Sequence, residues 1–116
     1  MKQINQIKKN LVDDLGLSQE EAEVFLALIK AGRTSSNNFN IYGKCTKEEM
    51  IDICKNLERK GMIIEINENE FQVLHPRFAI VNRYKRICKE KDIQFKKNIR
   101  IDNIGIILER YQDEND

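Results

Sequence analysis

The residues able to do covalent or metal chemistry are few and far apart. One histidine, His75, and three cysteines, Cys45, Cys54 and Cys88, are scattered at wide spacings. Zinc sites need closely spaced pairs of thiolate or imidazole donors, and a disulfide framework needs a dense, even set of cysteines, so neither pattern is met. The cysteines read instead as small hydrophobes in a reducing compartment. A Ser-His-Asp set would have to run through His75, which precedes Pro76 and reads as a strand-end residue, and the five glycines form no phosphate-cradling loop. These observations argue against an enzyme and imply no metal and no cofactor.

Charge chemistry is more promising, but only locally. Twenty Lys and Arg against nineteen Asp and Glu leave a formal charge of +1, which attracts no polyanion by itself. Residues 77 to 100, however, hold nine basic residues against Glu90 and Asp92, a local charge of +7. Drawn on a helical wheel, Ile80, Val81, Tyr84, Ile87, Cys88, Phe95 and Ile99 form an apolar stripe. Arg83, Lys85, Arg86, Lys89, Lys96, Lys97 and Arg100 lie opposite it. The pattern predicts one long helix over 77 to 99 with two jobs. Lys85, Lys89 and Lys96 would contact nucleic-acid phosphates, while Ile80, Tyr84, Ile87, Cys88 and Phe95 would form a homodimer interface, with Lys91 and Asn98 as polar breaks.

Positioning these side chains requires a scaffold. A chain of 116 residues and 13.7 kDa, 41% hydrophobic and 34% charged, suits one compact domain. Its apolar runs are too short to cross a bilayer and its start is polar, so a soluble, cytoplasmic protein without membrane partners is expected. Ile4, Ile7, Leu11 and Leu15 recur at helical spacing up to Gly16, which predicts a first helix over about 3 to 15. Ser18 and Glu21 have capping-box spacing ahead of Ala22, Phe25, Leu26 and Ile29, giving a second helix over about 19 to 31. Between Thr34 and Lys44, Ser35, Ser36, Asn37, Asn38 and Asn40 suggest a short third helix. Thr46 and Glu49 form a second capping box, and Met50, Ile53, Cys54 and Leu57 share the inner face of a fourth helix ending at Gly61.

Met62 to Ile66 and Phe71 to Leu74, separated by the polar stretch Asn67 to Glu70, predict a β-hairpin closed by His75-Pro76. After residue 99 the apolar phase changes. Ile101, Ile104, Leu108 and Tyr111 project onto the formerly basic side, so a break is expected at 100 to 102, with Asp102 as a cap and a short last helix from 103 to about 112. The expected fold is mainly α with a small hairpin. It divides into a winged helix-turn-helix domain over 1 to 76, a helical dimerisation extension over 77 to 112 and an acidic tail over 113 to 116.

Two segments resemble a known family. Leu15 to Gly32, reading LGLSQEEAEVFLALIKAG, is similar to the LGLSxxEAxxYLALLxxG opening of archaeal TrmB-type transcriptional regulators. Leu57 to Ile63, LERKGMI, resembles that family's LEEKGLI, where the recognition helix ends and the first wing strand begins. The likeness covers about residues 4 to 90. It implies a winged helix-turn-helix that binds double-stranded DNA as a transcriptional regulator. The chain is shorter than members carrying a sugar-binding domain, so no small-molecule effector is expected.

The interval between those motifs departs from the family. Its small-residue segment with a Pro-Arg-Ser sequence before the recognition helix is replaced here by Thr34 to Ile51. With Met50 inward, the outer face of the fourth helix carries Glu48, Asp52, Lys55, Asn56 and Arg59, and the wing tip is Asn67-Glu68-Asn69-Glu70. Carboxylates beside phosphates usually cost affinity. The candidate DNA contacts are therefore Ser35, Ser36, Asn37, Lys44, Thr46, Lys47, Ile51, Lys55 and Arg59 around the helix-turn-helix, with Lys85, Lys89 and Lys96 behind it. The alternative is a winged-helix module for protein interaction that does not read DNA sequence.

Overall fold

A computed structural model describes residues 2–31, 33–35 and 46–113 of the chain. Helix α1 is Lys2–Leu15 and α2 is Gln19–Ala31, joined by a turn in which Gly16 takes the left-handed conformation at φ 68°. The Ser18 hydroxyl accepts from the Glu21 amide at 3.0 Å, and the Glu21 carboxylate accepts from the Ser18 amide at 2.9 Å, closing the capping box at the start of α2. Strand β1 is Arg33–Ser35, α3 is Lys47–Arg59, β2 is Ile63–Asn67 and β3 is Glu70–Val73. Helices α4, Pro76–Glu90, and α5, Ile99–Asp113, complete the chain. The protein is thus mainly helical with a small antiparallel sheet of order β1-β3-β2.

Strand β1 corrects the expected short helix at its start. Thr34 and Ser35 pair with Phe71 and Glu70 of β3, because the central strand would otherwise leave one edge of amides and carbonyls unmatched. The rest of that expected helix lies outside the described residues. Strands β2 and β3 pair in the register Ile63↔Val73 and Glu65↔Phe71, with a bulge between Glu65 and Asn67 and Asn69 left-handed at φ 57°.

The long C-terminal helix is also corrected. Helix α4 stops at Glu90, where Asp92 adopts φ 55°. The Asp92 amide donates to the Lys89 carbonyl at 3.2 Å and the Ile93 amide donates to the Cys88 carbonyl at 2.9 Å. This is a Schellman ending with aspartate where glycine is usual. Residues 91–98 form a loop, and the Asn98 side chain then accepts from the amides of Arg100 and Ile101, at 3.0 and 3.3 Å, to start α5 four residues earlier than expected. Asp102 lies inside that helix, not at its cap.

The fold-back changes what the apolar stripe does. One continuous core runs from Ile7, Leu11 and Leu15 through Phe25, Ile29, Met50 and Leu57 to Phe71, Ile80, Ile101, Ile104 and Leu108. It crosses the expected division at residue 76. The radius of gyration, 13.7 Å, agrees with the ~13 Å of a compact chain this long. Among the described residues no helix is long and apolar enough to cross a membrane.

Candidate nucleic-acid interface

Helix α3 is the element whose outer face could meet a ligand. Its start is fixed locally: the Thr46 hydroxyl accepts from the Glu49 amide at 3.1 Å and the Glu49 carboxylate accepts from the Thr46 amide at 3.3 Å. Thr46, proposed from sequence as a DNA contact, therefore already serves as the helix cap, and Glu49 is held with it. Met50, Ile53, Cys54 and Leu57 are buried, and burial pushes the Cys54 thiol up to about 12, which leaves it protonated and unreactive at neutral pH.

Two further candidates on α3 are only half-exposed and already have partners within the chain. Ile51 is half-buried and packs against the core. Lys55 turns toward the hairpin: its ammonium lies 2.6 Å from the Glu65 carboxylate and 5.9 Å from the centroid of the Phe71 ring. Glu65 is also the acceptor for the Asn69 amide at 2.7 Å, while Glu58 accepts from the Glu65 amide at 2.9 Å. Together these contacts latch α3 to β2 and to the turn beyond it. Sequence reading missed Glu65 because it falls inside an apolar strand, and its partner is ten residues away across the turn at Gly61.

The Lys55–Glu65 pair has a pH signature. The hydrogen bond to Lys55, and then that from the Asn69 amide, hold the Glu65 carboxyl below the usual glutamate range; the same pair raises Lys55. The stabilisation linked to a lowered carboxyl is present above its unfolded-state pKa and is lost as pH falls through the folded value. That linked to a raised lysine is present below its unfolded-state pKa and is lost as pH rises through the folded value. Neutral pH therefore keeps both. In melts between about pH 7 and about pH 3, the stability gap between wild type and Glu65→Gln is expected to narrow on acidification. A gap that stays constant down to the lowest pH would show that the pair does not act.

What remains exposed on α3 is Lys47, Glu48, Glu49, Asp52, Asn56 and Arg59, with Arg59 donating to the Asn56 side chain. Three carboxylates thus face two cations. Ser35 lies in β1, and Ser36, Asn37 and Lys44 are outside the described residues.

The basic segment divides into structural and free members. Arg83 is only 6% exposed; its Nε donates to the Leu15 carbonyl at 2.9 Å and closes the end of α1. Arg86 donates to the Arg59 carbonyl, and the Asn82 amide donates to the Gly61 carbonyl at 2.7 Å, so α4 caps the end of α3. Arg100 pairs with Asp14 at 3.0 Å. Lys85, Lys89 and Lys96 are exposed as expected, although on α4 and the following loop and not on one helix, and Lys91 and Lys97 join them in that loop. The Lys85 ammonium sits 5.2 Å from the centroid of the Phe95 ring.

The expected dimer residues require correction. Ile80, Ile87 and Cys88 are buried within the chain, and Tyr84 is half-buried against the core with its ring 5.8 Å from that of Phe95. Only Phe95, at 40% exposure, retains much free surface. The physical reason is the turn at Asp92, which lets α5 fold back beside α4 so that α4 packs against α1 and α5.

His75 is the N-cap of α4: its Nδ1 accepts from the Arg77 amide at 3.3 Å and its Nε2 lies 2.9 Å from a Glu109 carboxylate oxygen, linking α4 to α5. Among the described residues no three His, Cys, Asp or Glu side chains are grouped to hold a metal ion. In comparisons with known proteins, no family model matches this chain, and neither does any curated protein or solved structure.

Proposed function

We propose that the protein is a winged helix-turn-helix that binds double-stranded nucleic acid, and that it acts as a transcriptional regulator. The observation that carries this reading is the order α1-α2-β1-α3-β2-β3 with the sheet arranged β1-β3-β2. In that order α3 takes the place of a recognition helix and the β2–β3 hairpin that of a wing. The likeness of residues 15 to 32 and 57 to 63 to TrmB-type regulators supports the same assignment.

Charge places the affinity away from α3. Glu48, Glu49 and Asp52 outnumber Lys47 and Arg59 among its exposed residues, and Lys55 is paired with Glu65. Lys85, Lys89, Lys91, Lys96 and Lys97 instead lie exposed on α4 and the 91–98 loop, where they are suited to phosphates. Replacing Lys85, Lys89 and Lys96 together by Ala removes three such contacts. It is expected to flatten the slope of log affinity against log salt by about 2.7, since each neutralised phosphate contributes about 0.9. Fluorescence anisotropy with a random duplex at about 50 and about 200 mM salt reads this out. An unchanged slope would remove these lysines from the interface. The Lys47→Ala, Arg59→Ala pair is expected to reduce preference among sequences while keeping nonspecific binding. The slightly acidic exposed face of α3 also favours a second reading, a winged-helix module for protein interaction. Absence of any duplex binding at low salt would select it.

A further inference from the structure

We infer that the outward face of the α4–α5 pair is a self-complementary surface that joins two copies of this chain. It is a different face from the core-directed stripe that carries Ile80 and Ile87. On α4, Phe78 is 59% exposed, and half-buried Val81 follows one turn later. On α5, Ile99 is 72% exposed, and half-buried Ile106 lies two turns along. The spacings 78–81 and 99–102–106 put these residues, with Asp102, on the side of each helix away from the core residues Ile80, Ile101, Ile104 and Leu108.

The two helices approach closely because residue 105 is glycine. A Cβ there would stand 2.9 Å from the Arg77 Cα. Beside this crossing, Arg77, Phe78, Val81 and Asp102 line an open groove of about 320 Å³. The groove thus has apolar walls with one cation and one anion at its edge. Arg77 and Asp102 make no ion pair and no side-chain hydrogen bond among the described residues.

A partner of uniform charge satisfies only one of these two groups. A second copy related by a two-fold axis satisfies both, because an isologous contact places Arg77 of each chain against Asp102 of the other and brings Phe78 and Ile99 of both chains into one apolar centre. Exposed aromatic and β-branched side chains flanked by unpaired opposite charges have the composition of an interface core with a polar rim. The occupant is therefore a second copy, and the product is a four-helix contact made of two α4–α5 pairs.

Sedimentation velocity without nucleic acid, at about 10 to about 100 μM, tests this independently of DNA binding. Wild type is expected at twice 13.7 kDa. The Phe78→Asp, Ile99→Asp chain is expected to be monomeric with a native circular dichroism spectrum, because both side chains already face solvent. Arg77→Glu and Asp102→Arg, each alone, place like charges across the axis and are expected to weaken self-association at least tenfold. Mixed in equal amounts, these two single variants form opposite-charge pairs at both contacts, so the mixture is expected to return to the dimer mass. Pairing between copies produces that recovery, and a folding defect in either chain does not. A monomeric wild type over this range, or a mixture that stays monomeric while wild type dimerises, overturns the assignment.

Discussion

Phe71→Ala is expected to destabilise the protein by about 3–5 kcal/mol, because deleting a buried aromatic ring removes its transfer free energy and leaves a cavity. Phe71 has no exposed surface and sits at the middle of the central strand, paired on one side with Thr34 and on the other with Glu65. Its ring also lies under the Lys55 ammonium, so its loss loosens the contact between α3 and the hairpin. Small domains have about 5–15 kcal/mol in total, and a domain of this size loses about 4 °C of melting temperature per kcal/mol. The midpoint by circular dichroism should therefore fall by at least about 12 °C. Phe71→Leu keeps most of the volume and is expected to cost under about 2 kcal/mol. Equal midpoints for the two variants would show that the cavity is not the cause.

The second large effect is expected at Gly61. This residue ends α3 at φ 83°, with its amide donating to the Glu58 carbonyl at 2.9 Å and the Met62 amide donating to the Leu57 carbonyl at 3.1 Å. A side chain in that conformation costs about 1–2 kcal/mol. A Cβ would also stand 2.3 Å from the Asn82 amide nitrogen and 2.5 Å from the Arg86 Nε, the two side chains that close the α3 carbonyls. Both can swing away, but only by giving up hydrogen bonds of about 0.5–1.5 kcal/mol each. Gly61→Ala should therefore cost about 2–5 kcal/mol in urea unfolding. Gly16 is a useful contrast: it is left-handed at φ 68°, yet its nearest neighbour would be the Arg83 Nη2 at 3.2 Å. Gly16→Ala should be the milder change, and a reversal of that order would mean that the α4 contacts do not hold the end of α3.

Local chemistry was legible in the residue order. The apolar periods of α1, α2 and α3, both capping boxes, the Gly16 and Gly61 turns and the β2–β3 hairpin all arise within a few residues. Each rests on backbone geometry and nearest-neighbour hydrogen bonds, which sequence spacing encodes directly. The exposure of Lys85 and Lys89 was legible for the same reason, since a helical period assigns faces.

Tertiary structure alone decided three other matters. The end of α4 depends on Asp92 in a conformation that glycine usually marks, so periodicity ran past it, carried the first helix through the 91–98 loop and put the break at 100 to 102. The roles of the basic residues depended on distant backbone groups: Arg83 meets a carbonyl 68 residues earlier in the chain and Arg86 one 27 residues earlier. Charge alone does not separate such arginines from Lys89, because an unpaired helix-end carbonyl and a nucleic-acid phosphate both attract a cation. The turn at Asp92 then brought α5 back beside α4, so Ile80 and Ile87 joined the core and Phe78 and Ile99 were left facing outward. An apolar stripe specifies that a face will be covered; which segment covers it is set by where the chain reverses, a property of non-local packing that no local period contains.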